Sequence, residues 1–140
     1  MRELIEQLPE AETGEVDEIF EFHDFGLDEY QEEAADFAFY NGISYPTLGL
    51  CGEAGELANQ VKKLIRDSGM PADHDVQIDD QYMTEDMRSS LVLEAGDVLW
   101  YLANFCNDIG FSLSEVAELN LEKLRRRKEN GTLTGSGDYR

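Results

Sequence analysis

Basic side chains are scarce in this chain. Eleven lysines and arginines stand against 31 aspartates and glutamates in 140 residues, a formal net charge of −20 at pH 7. A surface of that sign repels phosphate backbones and acidic membranes, which argues against general nucleic-acid or lipid-headgroup binding. Any phosphate-bearing ligand would need a metal bridge or a local basic patch. Histidine is almost missing, and neither His23 nor His74 lies at ligand spacing from the acidic clusters discussed below. That weighs against zinc and against a Glu-x-x-His di-iron bundle, which needs a histidine on each of two helices. The only thiols, Cys51 and Cys106, show no C-x-x-C spacing and sit in apolar segments, so two buried, reduced cysteines are expected. No run approaches the roughly 20 apolar residues of a membrane span, and the acidic start Met1-Arg2-Glu3-Leu4 is unlike a signal peptide. The expected location is cytoplasmic.

Against that background one four-residue word occurs twice: Glu53-Ala54-Gly55-Glu56 and Glu94-Ala95-Gly96-Asp97, each followed by an apolar helical run. Residues three apart share a helix face, so each word presents two carboxylates side by side. With 31 acids in 140 residues, about seven such pairs should arise by chance, so spacing alone means little. The repeated Ala-Gly interior and the apolar context, Leu57, Val61, Leu64 and Ile65 after the first word and Leu91, Val92, Leu93, Val98, Leu99 and Trp100 around the second, set these two apart. Glycine inside a helix costs about 1 kcal/mol relative to alanine, and small residues at those positions would let two backbones approach closely. Four carboxylates converging between two helices repel one another, an arrangement that makes sense when hard cations fill it, Mg²⁺ or Mn²⁺ first. A solvated polar helix face is the ordinary alternative.

Residues 1–26 form an acidic extension with scattered apolar side chains and no legible role. A first helix is expected after Leu27, with Asp28 as N-cap and Gln31 completing a capping box, running to about Asn41. Its face of Tyr30, Ala34, Phe37, Ala38 and Asn41 suits a core, or a wall for a flat ligand. Tyr45-Pro46 reads as a turn and Thr47 as the cap of a second helix, to about Asp67, that carries Glu53 and Glu56, with Gln60 and Lys63 on the same stripe. Residues 68–84 are a polar, glycine- and proline-punctuated insertion. A third, largely apolar helix runs from about Thr84 to Asp108, and Tyr101, Asn104 and Asp108 follow Glu94 and Asp97 along its acidic stripe. Ser112 and Glu115 make a capping box for a fourth helix that ends at Asn130-Gly131. Asn120, Lys123 and Arg127 share one face there, amid Arg125, Arg126 and Lys128. Such a cluster complements the helix dipole and aids solubility, or clamps phosphate opposite the metals. Residues 132–140 are a glycine- and serine-containing tail.

In these features the sequence resembles the MazG-like family of all-α nucleoside triphosphate pyrophosphohydrolases. The likeness rests on Tyr30-Gln31, on Gly52-Glu53-Ala54-Gly55-Glu56-Leu57, on Glu94-Ala95-Gly96-Asp97-Val98-Leu99-Trp100-Tyr101, and on Asn120-Leu121-Glu122-Lys123-Leu124-Arg125-Arg126-Arg127. It covers a helical domain of residues 27–131, and the tail is similar to that of small stand-alone members from bacteriophages and bacteria. The resemblance implies an all-α, four-helix bundle completed by oligomerisation. It also implies hydrolysis of a (deoxy)nucleoside triphosphate to monophosphate and pyrophosphate. Carried over position by position, Glu53, Glu56, Glu94 and Asp97 match the ligands of two or more Mg²⁺ or Mn²⁺ ions, one of them also orienting the attacking water. Glu53, first of its word and nearest the N-terminal end of its helix, is the expected water-orienting base, with the other three acids as alternatives. Lys123 and Arg127 match the phosphate-facing basic pair, Asn120 and Tyr101 match supporting positions, and Gln31 is a candidate base contact. The expected partners are a triphosphate, with dGTP or GTP as the first guess, and further copies of the chain in a tetramer or a dimer. The expected place of action is the cytoplasm, that of a host if the protein is phage-encoded. The acidic extension and the insertion depart from the family pattern. Two readings compete: an acidic decoy for a nucleic-acid-binding partner, which would spread its acids over exposed faces, and a structural bundle whose cations only relieve repulsion.

Overall fold

A computed structural model describes residues 26–67 and 82–133. They form four helices, α1 (Leu27–Ala35), α2 (Ser44–Asp67), α3 (Glu85–Asp108) and α4 (Leu113–Glu129), and no strand among the described residues. The fold is all-α, as expected. Helix α3 is central: α2 packs along it, and α1 and α4 pack on it and on each other, whereas α2 and α4 make no contact among the described residues. No described helix is long and apolar enough to cross a membrane. Residues 1–25, 68–81 and 134–140, which include most of the expected extension, insertion and tail, lie outside the described residues.

Local sequence accounts for α3 and α4. Thr84 caps α3 by accepting from the Met87 amide at 3.3 Å, with Glu85 and Asp86 in the first turn, where the helix dipole favours negative charge. In α4 the Ser112 hydroxyl accepts from the Glu115 amide at 3.1 Å while the Glu115 carboxylate accepts from the Ser112 amide at 2.8 Å. Gly110, at φ +77°, makes the tight turn between the two helices, a conformation glycine adopts without penalty.

The first two helices begin and end elsewhere than expected. Helix α1 is capped by Gly26, whose amide donates to Glu29, because the Asp28 carboxylate is engaged in another helix: it accepts from the Ser114 amide in the first turn of α4, at 2.9 Å. That bond holds the Asp28 carboxyl below its usual range. Helix α1 stops at Ala35 and not near Asn41. The Trp100 indole donates to the Ala34 carbonyl at 3.1 Å, and the Phe37 amide takes the same carbonyl in a tighter turn, so the Ala38 amide bonds Ala35 and the α-helical ladder ends. Helix α2 starts at Ser44, before Thr47, because Pro46 fits a first helical turn, where its missing N–H leaves no bond unmade. The Thr47 hydroxyl donates backwards to the Ile43 carbonyl at 2.6 Å and so is not a cap.

The core lies between α1, the C-terminal half of α3 and the start of α4. Ala34, Ala103, Cys106 and Leu113 are buried, with Tyr30, Trp100, Leu102, Phe105 and Val116 packed around them. Gln31 fastens this end. Its Nε2 donates to the carbonyls of Ala103 and Phe111, and its Oε1 accepts from the Leu113 amide at 2.6 Å. Two α1 side chains, Asp28 and Gln31, therefore satisfy amides in the first turn of α4 that have no partner within their own helix. Of the two free thiols only Cys106 is buried. Cys51 is exposed, because Gly49 and Glu53 turn toward α3 and the residue midway between them on the helix faces the other way.

Candidate metal and phosphate site

Helices α2 and α3 run antiparallel, and three contacts mark their register. Gly49 lies against the ring of Tyr101. One turn further along α2, Glu53 meets Asp97 and Glu94, each offering an oxygen, with all three ligand atoms within 4.8 Å of one another. Two turns beyond, Gln60 Nε2 donates to Glu94 Oε1 at 3.3 Å. The carboxylates are thus bracketed along the interface by a ring packed on backbone and by an amide.

Like charges gathered this closely disfavour ionisation. Burial first, and then the charges of Asp97, Glu94 and Glu56, push the Glu53 carboxyl above its ordinary value. Glu56 is exposed and outside the group of three, although its charge is felt by Glu53. Three carboxylate oxygens converging from two helices match the oxygen donor set of Mg²⁺ or Mn²⁺, and a cation there would relieve the repulsion among them. The glycines of the two acidic words do not bring the helices together. A Cβ on Gly55 or Gly96 would meet nothing within 4 Å, since both sit on faces turned away from the interface, and Ala54 and Ala95 are exposed beside them.

Aromatic side chains wall one side of the cluster. Tyr101 has its ring centroid 4.8 Å from that of Trp100, edge to face, and 6.1 Å from that of Tyr45. Tyr45 in turn stacks on Tyr40 at 4.7 Å. The hydrogen bond with Tyr45 is the main reason the Tyr101 phenol is held above its normal range, followed by burial and by the charges of Tyr45, Glu53 and Asp97. Burial and the charge of Asp97 act in the same direction on Tyr30. Tyr101 therefore stands within the electrostatic reach of the acids.

The fourth helix is placed differently. Asn120 is exposed and Lys123 and Arg127 are half-buried on α4, which makes no contact with α2 among the described residues. Arg127 donates through Nε to the Thr132 carbonyl and through Nη2 to the Leu133 carbonyl, both at 3.3 Å, binding the turn that follows its helix. Gln31, the expected base contact, is 4 % exposed, and its amide hydrogens go to Ala103 and Phe111. Its use is in holding the fold and not, as expected, in contacting a base. The sequence points to no role for Gly49, suggests only a turn for Tyr45, and places Gln60 on the acidic stripe without a role. Extending the acidic stripe of α2 by one turn each way, through positions 49, 53, 56 and 60, reaches two of the three.

The sequence model described as the MazG nucleotide pyrophosphohydrolase domain matches residues 45–132. The Gene 37 protein of Mycobacterium phage L5 is 42% identical over 123 residues, a match that covers 81% of this chain and 98% of that protein. No solved structure matches the chain significantly.

Proposed function

This chain belongs to the MazG nucleotide pyrophosphohydrolase family, and we propose that it hydrolyses a (deoxy)nucleoside triphosphate to the monophosphate and pyrophosphate with Mg²⁺ or Mn²⁺ held by Glu53, Glu94 and Asp97. The observation that carries this reading is the meeting of those three carboxylates between α2 and α3. Glu56, next on the stripe and close enough for its charge to act on Glu53, is the fourth candidate ligand. Divalent ions bound there supply charge neutralisation for the triphosphate and acidify water, the contribution such ions make to phosphoryl chemistry.

The protein's part is positional. One water is consumed, the α–β phosphoanhydride breaks, and monophosphate and pyrophosphate leave. Glu53, first of its word and nearest the N-terminal end of α2, orients that water and takes its proton. Tyr101, beside the acids, donates its hydroxyl hydrogen bond to a phosphate oxygen in place of Tyr45.

Asn120, Lys123 and Arg127 complete the phosphate contacts from a second copy of the chain. Among the described residues α2 and α4 make no contact, which supports an approach in trans, as does the apolar surface they leave bare: Leu48, Val92, Leu93 and Leu119 are each more than half exposed. We favour a tetramer. That the relative is a phage protein supports the cytoplasm of an infected cell as the place of action; the substrate is a nucleotide-pool triphosphate, with dGTP the first to test.

Pyrophosphate release across a panel of canonical and damaged triphosphates, with and without Mg²⁺, tests the reading. The parent chain should turn over at least one of them only with the metal present. Full turnover in two of the variants Glu53→Ala, Glu94→Ala and Asp97→Ala would remove the site assignment.

A further inference from the structure

Gathering three carboxylates within 4.8 Å requires something to hold α2 and α3 together against their repulsion, and little apolar packing does so near the acids. Val92, Leu93 and Leu99 are exposed, and the buried apolar side chains of α2 among the described residues, Pro46 and Leu64, lie about two and three turns from Glu53. What stands next to the acids is the contact between Gly49 and Tyr101. A Cβ built on Gly49 would overlap three carbons of the Tyr101 ring, whereas one built on Gly52, Gly55 or Gly96 would meet open space. Gly49 lies one turn before Glu53, and Tyr101 one turn after Asp97, on antiparallel helices. The ring has neighbours on its other sides, since Trp100 meets it edge to face at 4.8 Å and the Tyr45 ring lies 6.1 Å away.

We propose that Gly49 is a positioning residue for the carboxylate cluster: by letting the Tyr101 ring lie on the α2 backbone, it sets the register and separation at which Glu53 meets Glu94 and Asp97. The inference rests on the metal-site reading above and adds the residue on which that site's geometry depends. Gly49 touches neither metal nor substrate. Its effect passes through Tyr101 to the spacing of the two helices.

The test is Mn²⁺ affinity of the full chain without nucleotide, followed by the EPR signal of the free ion. Gly49→Ala should weaken Mn²⁺ binding about 10- to 100-fold, the range seen when the support behind metal ligands is disturbed. Gly52→Ala, the same change on the same helix but into open space, should leave affinity unaltered. In a Tyr101→Leu background, where the ring is gone, adding Gly49→Ala should change affinity by less than about twofold, because the two substitutions act through one contact. If Gly49→Ala alone does not fold, recovery of a folded, Mn²⁺-binding protein in the double variant supports the proposal, and continued failure opposes it. Parent-like affinity in Gly49→Ala, or an equal loss in both backgrounds, overturns the proposal while leaving the metal site standing. A parent chain whose Mn²⁺ binding is absent, or indifferent to Asp97→Asn, overturns both.

Discussion

Two stretches of α3 face opposite demands. Around its C-terminal half, apolar side chains close over Ala103 and Cys106, and Gln31 answers two carbonyls and an amide at once. Around its middle, the neighbouring helix brings acids to within a few ångströms of other acids while leucines and valines stay exposed. One region lowers the energy of the folded chain. The other holds charges that raise it, and is supported by a glycine–tyrosine contact and an amide. Sites that bind multivalent ligands have this character, since groups already satisfied by one another would have nothing to offer a cation.

The contrast is broken most strongly by a cavity in the core end. Leu113→Ala, at a side chain 5% exposed, should lower unfolding free energy by about 2–5 kcal/mol, measured by denaturant titration. The folded fraction should still bind Mn²⁺.

At the acidic end the opposite pattern is expected. Glu53→Ala, Glu94→Ala and Asp97→Ala should each reduce pyrophosphate release by about 100-fold or more, a loss typical of removing a group that stabilises transition-state charge. Their melting temperatures without metal should stay level or rise, because each removes a repulsive partner. A large drop in melting temperature would mean that the cluster holds the fold together.

A thermal-shift series sharpens the comparison further. Mg²⁺ should stabilise the chain, and Mg²⁺ with a non-hydrolysable triphosphate at a hundred times its dissociation constant should add about 2.7 kcal/mol. A decoy or a structural bundle gains nothing from the nucleotide. The smallest effect is in pH dependence, where the two regions differ in sign. Glu53 is raised in the fold, so its contribution is present below the ordinary glutamate range and lost as pH rises through the raised value. Asp28 is lowered by the Ser114 amide, so its contribution is present above the ordinary aspartate range and lost as pH falls through the lowered value. Carboxyl NMR titration of the metal-free chain should show these opposite displacements, and Mg²⁺ should bring Glu53 down while leaving Asp28 in place.

Much of this was legible in local patterns. The caps of α3 and α4, the all-helical class and the stop at Gly131 follow from residues within a turn of one another. The errors lie where a distant group intervened. Asp28 looked like the cap of its own helix until Ser114 claimed it, and Trp100, 66 residues away, took the carbonyl on which a longer α1 depended. The glycines of the acidic words looked like the point of close approach, but the notch is one turn upstream of the first word, at Gly49.

Periodicity and capping are properties of a few neighbouring residues, so the linear chain alone determined that there would be helices, roughly where they lie, and that acids would line one stripe of two of them. Which stripes face each other, and at what register, depends on a contact between residues far apart in the chain. Only the packed molecule decided that Glu53, Glu94 and Asp97 meet while Glu56 stands aside and the basic face of α4 stays off α2. Sliding one helix past another by a single turn leaves every local preference unchanged and moves every carboxylate by about 5.4 Å.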